Sequence, residues 1–345
     1  MSTIEIAGRK IGTNHPPLVI AEVGINHEGN VDKAIQMVDA AADAGAEVVK
    51  FQCHITEKEM IETDMTPGEI SNDRLWDIIK RCELAADEEK RVQVHCAKRG
   101  ITYLSTPFSR EAANRLNSMN VPGFKIGSGE CNNLPLIDHI AAFGKPIVLS
   151  TGMNDLQSVK ESVAVIQQHK TPFALLHCTS MYPTPYHLVR LGGIADLMQA
   201  FPGVPVGLSD HSLNIYTCLG AVALGASILE KHFTVTRSWP GPDIGISIEP
   251  AELNHLVRGS KAVWEARGGH KTIIEGEQPV IDFAYASVVT IAPIKAGESL
   301  SKFNIWVKRP GTGPIHARQF DECLGRKAVR NLPTDVQLTW EDMAT

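Results

Sequence analysis

Residues 18–52 read LVIAEVGINHEGNVDKAIQMVDAAADAGAEVVKFQ. A nearly unbroken apolar run, LVIAEVG (18–24), leads into an amphipathic stretch, VDKAIQMVDAAADAG (31–45), and then into a second apolar run, EVVKFQ (47–52). Strands without polar alternation are buried on both faces, as in a parallel sheet, and the amphipathic stretch supplies the helix between them. The unit recurs along the chain. Further strands are predicted at 102–108, 123–129, 146–152, 173–179, 204–210 and 227–233, with another amphipathic stretch at 155–169. Eight β-then-α units over about 250 residues predict an α/β fold of the (β/α)8 TIM-barrel type. An open doubly wound sheet is the alternative, but no dinucleotide fingerprint accompanies the repeats.

The pattern changes after AELNHLVRGSKAVWEARGG (251–269). The following stretch has no clear period and reads as a linker over 271–286. From 287 onward, turn signals such as KAGESL and RPGTGP break up brief strands. The predicted division is a barrel over 1–270, the linker, and a compact domain over 287–345.

The net charge of −6 argues against a nucleic-acid binder that works through overall charge. No apolar run is long enough for a membrane span, and MSTIEIAGRKIG lacks the apolar core of a signal peptide. Seven cysteines, with no CxxC, read as reduced buried residues of a cytoplasmic protein.

A TIM barrel carries its active site at the C-terminal ends of its strands. Glu22, Lys50, Gln52, Ser105, Thr106, Lys125, Ser128, Glu130, Ser150, Thr151, Ser180, Tyr182, Ser209, Asp210, His211, Glu230 and His232 stand there. About half of the hydroxyls would serve as caps and turns. Lys50 and Lys125 are different, because an unpaired ammonium inside an apolar strand is costly. A bound phosphate or carboxylate would balance them, with hydroxyls completing the cradle. His211 and His232 end neighbouring strands and make a candidate divalent-metal pair. Glu22, Glu130 and Asp243, the last in the loop SWPGPDIG, are candidate acids or bases.

The motifs AEVGINHEGN, AGAEVVKFQ, STPFS, FKIGSGECNN, LSTGM, HCTSMYPTPY, GLSDHS, ILEKHFT and PGPDIG follow one another in the order found in sialic acid synthases. NIWVKRPGTG resembles the antifreeze-like (SAF, β-clip) C-terminal segment of those enzymes, which is similar to a type III antifreeze protein. The resemblance spans essentially the whole chain; synthases of legionaminic and pseudaminic acids share most of these motifs. It implies metal-dependent condensation of phosphoenolpyruvate with N-acetylmannosamine and water, giving N-acetylneuraminate and phosphate with C–O cleavage. N,N'-diacetyllegionaminate synthesis from a 2,4-diacetamido-2,4,6-trideoxymannose is the alternative, and a metal-dependent aldolase on the same barrel is a third reading. The implied metal is Mn2+ or Mg2+, held by His211 and His232. The implied phosphoenolpyruvate cradle is Lys50, Thr106, Lys125, Ser128, Ser150, Ser180 and Ser209. Sugar contacts fall on Glu22, Tyr182, Asp243 and Arg309, with Gln52 also binding substrate and Glu130 handling the proton of water. Ser180 departs from the asparagine of close bacterial sialic acid synthases, although other nonulosonate synthases use serine. The resemblance also implies a domain-exchanged homodimer in which the small domain brings Arg309 to the partner's barrel.

Overall fold

The computed structural model describes residues 3–68 and 72–344. They form two compact units, one up to Gly268 and one from Gly269. The first opens with a hairpin of β1 (Ile4–Ile6) and β2 (Arg9–Ile11), followed by eight parallel strands: β3 (Leu18–Gly24), β4 (Val48–Cys53), β5 (Thr102–Pro107), β6 (Phe124–Ile126), β7 (Ile147–Ser150), β8 (Phe173–Cys178), β9 (Val206–Asp210) and β10 (Ile228–His232). Their order in the sheet is β5-β4-β3-β10-β9-β8-β7-β6. β5 and β6 come side by side, so the sheet rolls into a nearly closed barrel. Helices between the strands cover its outside, as the repeat predicts.

Period-two alternation sorts the strand residues into two cores. Leu18, Ile20, Val48, Leu104, Val148, Ala174, Leu176 and Ile228 fill the barrel interior, and Ile4, Ile6 and Ile11 of the hairpin pack with them. Val19, Ala21, Val49, Phe51, Phe124, Leu175 and Leu229 instead face the helices. The helix Val31–Asp43 shows how local sequence meets that outer core. Asn30 caps it, accepting from the amides of Asp32 and Lys33 at 2.9 and 3.0 Å, a contact worth about 1 kcal/mol. The helix then buries Val31, Ala34, Met37, Val38 and Ala41, spaced for one face.

Asp210 belongs to the outer layer, away from the barrel mouth. It accepts from Lys231 Nζ at 2.6 Å, Thr217 Oγ1 at 2.8 Å and Ser212 Oγ at 2.9 Å, all buried. Breaking this pair would strand a buried ammonium at a cost of about 3–5 kcal/mol.

The sequence-predicted strand at 123–129 stops at Ile126, and Ser128–Glu130 form a 3-10 turn. Gly127, Ser128 and Gly129 are too small to hold the strand by side-chain packing. Glu130 ends that turn, an odd number of residues beyond Lys125, and would not share the inward face of Lys125 even in a continued strand.

In the second unit, β11 (Ser287–Thr290) pairs antiparallel with β12 (Ile305–Lys308), and β13 (Lys327–Ala328) with β14 (Met343–Ala344). Val288, Ile294, Leu300, Ile305, Ile315, Leu332 and Leu338 form its core. The stretch read as a linker contains a helix, Gln278–Ala284, with proline in its first turn. Its Asp282 carbonyl accepts from the Gly311 amide at 2.8 Å, so this stretch packs within the second unit. Seven residues are too few to reveal a helical period in sequence.

All seven cysteines are free and buried. No helix among the described residues is long and apolar enough to cross a membrane.

Candidate active site

The inward face of each strand turns polar toward its C-terminal end, where the side chains surround a cavity of about 250 Å³. Glu22, Lys50, Gln52, Thr106, Lys125, Ser128, Ser150, Ser180, Tyr182, Ser209, His211, His232 and Asp243 all line it. Ser105, Thr151 and Asp210 of the strand-end ring do not line it, and two residues given a catalytic or binding role, Glu130 and Arg309, stand elsewhere. Glu130 is half-buried with its Oε2 accepting from Asn133 Nδ2 at 2.6 Å, and burial raises its carboxyl pKa. Arg309 is exposed in the second unit, one residue beyond β12.

Glu230 is the site residue that sequence reading left out of the binding set. Its Oε2 lies 3.4 Å from Lys50 Nζ and its Oε1 3.5 Å from Lys125 Nζ. Ser209 Oγ donates to the same Oε1 at 3.0 Å. Lys50 also sits 3.0 Å from Glu22 Oε2, and Lys125 donates to Ser150 Oγ at 2.7 Å. The two lysines are therefore paired inside the chain, where sequence reading had left them to an external anion.

These contacts set the charges. Burial pushes Glu230 up, but Lys125 and Lys50 outweigh it and hold the carboxyl at about 2. Burial raises Glu22 to about 7; the negative Glu230 adds to this, and Lys50 opposes it. Burial also lifts Asp243 to about 6. Lys50 is raised because Glu22 and Glu230 overcome its burial, whereas burial of Lys125 prevails and lowers it. Glu22 and Asp243 accept protons near neutrality, which leaves the two lysines in excess over the firmly charged Glu230 and favours an anionic ligand.

Two glycines permit this crowding. Gly24 has φ +57°, and a Cβ there would lie 3.3 Å from each of Asp243 Oδ2, Gln52 Nε2 and Glu22 Oε1. At Gly152 a Cβ would lie 2.5 Å from Ser180 Oγ and 2.7 Å from Ser128 Oγ. The Asp243 loop is tied down by Asn26, whose Oδ1 accepts from the Asp243 amide at 3.2 Å and whose Nδ2 donates to Ser247 Oγ at 2.9 Å.

The rings of His211 and His232 are 5.3 Å apart, and Tyr182 stacks on His211 at 4.2 Å. His211 Nδ1 donates to the Thr179 carbonyl at 3.0 Å, which leaves Nε2 to carry a lone pair in the neutral ring. His232 Nδ1 is buried without a hydrogen-bond partner, 3.6 Å from Asp243 Oδ2. Burial, with the neighbouring Lys50, Lys231 and Lys125 ammonium groups, holds His232 well below its usual pKa, in the neutral form that ligates metals. An orphaned imidazole nitrogen beside a second one fits a divalent cation. Among the described residues no group of three or more His, Cys, Asp or Glu is arranged as a complete metal shell, so water or substrate oxygens would complete it.

Residues 37–272 match the model of the NeuB family. The chain belongs to the NeuB family. Residues 285–344 match the SAF domain. The chain is 38% identical over 328 residues to the N,N'-diacetyllegionaminic acid synthase of Campylobacter jejuni, covering 92% of this chain and 97% of that one. It is 33% identical to the N-acetylneuraminate-9-phosphate synthase of Mus musculus over 306 residues, covering 87% of this chain and 85% of the other. The crystal structure of N-acetylneuraminic acid synthetase from Leptospira borgpetersenii, in complex with citrate, superposes with a TM-score of 0.74 at 35% identity. That match covers 81% of this chain and 95% of the other. This NeuB-family protein is an enzyme, a transferase.

Proposed function

We propose that the protein is a nonulosonic acid synthase that condenses phosphoenolpyruvate, an open-chain N-acetylated amino sugar and water into a nonulosonic acid and phosphate. The observation that carries this reading is the convergence of buried Lys50 and Lys125 on one cavity with hydroxyls at hand. Ser180 Oγ there is buried and has no partner. Paired ammonium and hydroxyl donors suit a phosphate and a carboxylate on one small molecule. We take N-acetylmannosamine as the sugar, which makes N-acetylneuraminate the product. A 2,4-diacetamido-6-deoxy sugar is the second reading, favoured by the 38% identity to the Campylobacter legionaminic acid synthase and by Ser180.

In this reading the methylene carbon of phosphoenolpyruvate attacks the sugar aldehyde, and water adds at the enol carbon. Water gives up both of its protons, one balanced at the aldehyde oxygen and one at the phosphate, which departs with its bridging oxygen as the carbonyl forms. Lys50 and Lys125, with Thr106, Ser128, Ser150, Ser180 and Ser209, hold the phosphate and carboxylate as charge shifts. A divalent cation on His211 and His232, Mn2+ or Mg2+, would supply Lewis acidity at the sugar carbonyl. Glu22, at about 7, lines the cavity and is suited to hold or release a proton near neutrality. This replaces the role that sequence reading gave Glu130, whose carboxylate is engaged by Asn133. Tyr182 and Asp243 face the sugar. A domain-exchanged homodimer would add the partner subunit's Arg309, and mixed dimers of one barrel-inactive and one Arg309→Ala chain would then regain activity in half of their sites.

Phosphoenolpyruvate labelled with 18O at its bridging position tests the chemistry. The label should appear in the released phosphate; label retained in the sugar acid would contradict C–O cleavage.

A further inference from the structure

The inward face of β4 continues one step past the strand. Lys50, Gln52 and His54 are spaced by two, while Phe51 and Cys53 pack into the outer core. His54 is buried but does not line the cavity, and neither does Glu59. Glu59 ends the short helix Thr56–Glu59 and places its Oε1 and Oε2 at 2.9 and 3.1 Å from His54 Nδ1. His54 Nε2 lies 3.0 Å from Gln52 Oε1. The imidazole stacks on Phe108, with centroids 4.4 Å apart and planes at 14°. On the cavity side, Gln52 Nε2 donates to Glu22 Oε1 at 3.1 Å, and Glu22 Oε2 meets Lys50 at 3.0 Å.

Nδ1 donates to the Glu59 carboxylate, which only accepts, and Nε2 faces the Gln52 amide oxygen, to which it donates in this arrangement. A primary amide has one accepting end and one donating end. With His54 donating to the oxygen of Gln52, the NH2 end is directed at Glu22. The reversed amide would set its oxygen against the Glu22 carboxylate, two acceptors with no proton between them, unless Glu22 were protonated. His54 thus decides what the amide shows to Glu22, and Glu22 is the carboxyl that shares Lys50 with Glu230.

We propose that His54, clamped between Glu59 and Phe108, is a positioning residue for the condensation: it fixes the orientation of the Gln52 amide and, through it, the Glu22 carboxyl beside Lys50. The proposal rests on reading the cavity as the synthase site. His54 touches no substrate in this account and acts only through Gln52.

The test is a double-mutant cycle on the full-length, metal-loaded enzyme, with kcat and KM measured for both substrates. His54→Ala should lower kcat/KM roughly tenfold or more in the wild-type background but less than about twofold in Gln52→Ala, because the group it acts through is gone. The loss should fall mainly on kcat. Equal fold-losses in the two backgrounds would mean that His54 merely supports the fold and would overturn the proposal. Glu59→Gln keeps the bulk of the clamp, and it should show the same non-additivity if His54→Ala fails to fold. A readout without turnover is the 15N spectrum of the His54 ring in the full chain. Two protonated nitrogens are expected, with Nε2 shifting in Gln52→Ala; an unmoved Nε2 would overturn the contact. Absence of wild-type turnover with every sugar would refute the proposed function, whereas the nitrogen spectrum would still decide the positioning contact.

Discussion

The Glu230 carboxylate bridges two cations, with Oε1 at 3.5 Å from Lys125 Nζ and Oε2 at 3.4 Å from Lys50 Nζ. All three groups are at least 95% buried, so the bridge is shielded from solvent. Removing one partner of such a buried network costs about 3–5 kcal/mol, because the remaining charge is left uncompensated. Glu230→Gln should therefore lower unfolding free energy by about 3 kcal/mol in anion-free buffer. Millimolar phosphate should restore a larger share of stability to the variant than to the wild type, since it supplies the missing negative charge. Urea unfolding with and without phosphate checks this, and equal phosphate effects would contradict it.

Gly152 keeps two hydroxyls close. A methyl group at 152 would press on Ser180 and Ser128, and its backbone φ brings no strain of its own. Gly152→Ala should raise KM for phosphoenolpyruvate by about tenfold or more while costing about 1–3 kcal/mol in stability, the usual range for an overpacked site. Steady-state kinetics with a parallel melting curve would separate the two. An unchanged KM would show that neither serine holds the anion.

His27 is a buried imidazole whose Nδ1 accepts from the Gly29 amide at 3.1 Å. Burial, assisted by the charge of His54, lowers its pKa from 6.5 to about 4. Between these values the unfolded chain holds a proton that the folded chain does not, so stability rises with pH across the window. The stabilisation is complete above pH 6.5 and is lost as pH falls toward 4, an effect of about 3 kcal/mol. Unfolding free energies at pH 7 and pH 4.5 should differ less in His27→Gln than in wild type by a large part of that amount. Equal differences would contradict it.

Metal removal should separate binding from chemistry. Exhaustive chelation should cut turnover below about 1%, and manganese should restore it. Phosphoenolpyruvate affinity should stay within about threefold, because Lys50 and Lys125 hold that substrate. His232→Ala should imitate chelation and resist manganese rescue. Full turnover after chelation would remove the metal from the account.

Much of the site was legible because strand alternation is a strict period. Once 18–24 and 47–52 are strands, Glu22, Lys50 and Gln52 share the interior with Ile20 and Val48. The same rule applied to SILEKHF puts Glu230 inward with His232 and sends Lys231 outward to Asp210. Sequence reading instead counts Asp210 and Glu230 alike among the strand-end residues. Register explains what was missed: His232 pairs with Glu22, and Glu22 with Lys50, so Glu230 meets the lysines across the barrel. Alternation from the inward Lys125 already turns Glu130 away from the cavity, so its expected place there rests on the resemblance and not on the period. The His54–Glu59 contact depends on one turn of helix after β4, too short to show a pattern.

The most direct measurement is phosphate release from phosphoenolpyruvate by the manganese-loaded enzyme, with N-acetylmannosamine, with the 2,4-diacetamido-6-deoxy sugar and with no sugar. The account predicts sugar-dependent release, with N-acetylmannosamine the active partner. Release with the diacetamido sugar alone would keep the chemistry and move the specificity to the second reading. No release with either sugar, from a folded enzyme that binds manganese, would contradict the assignment of Lys50 and Lys125 to a phosphoenolpyruvate site.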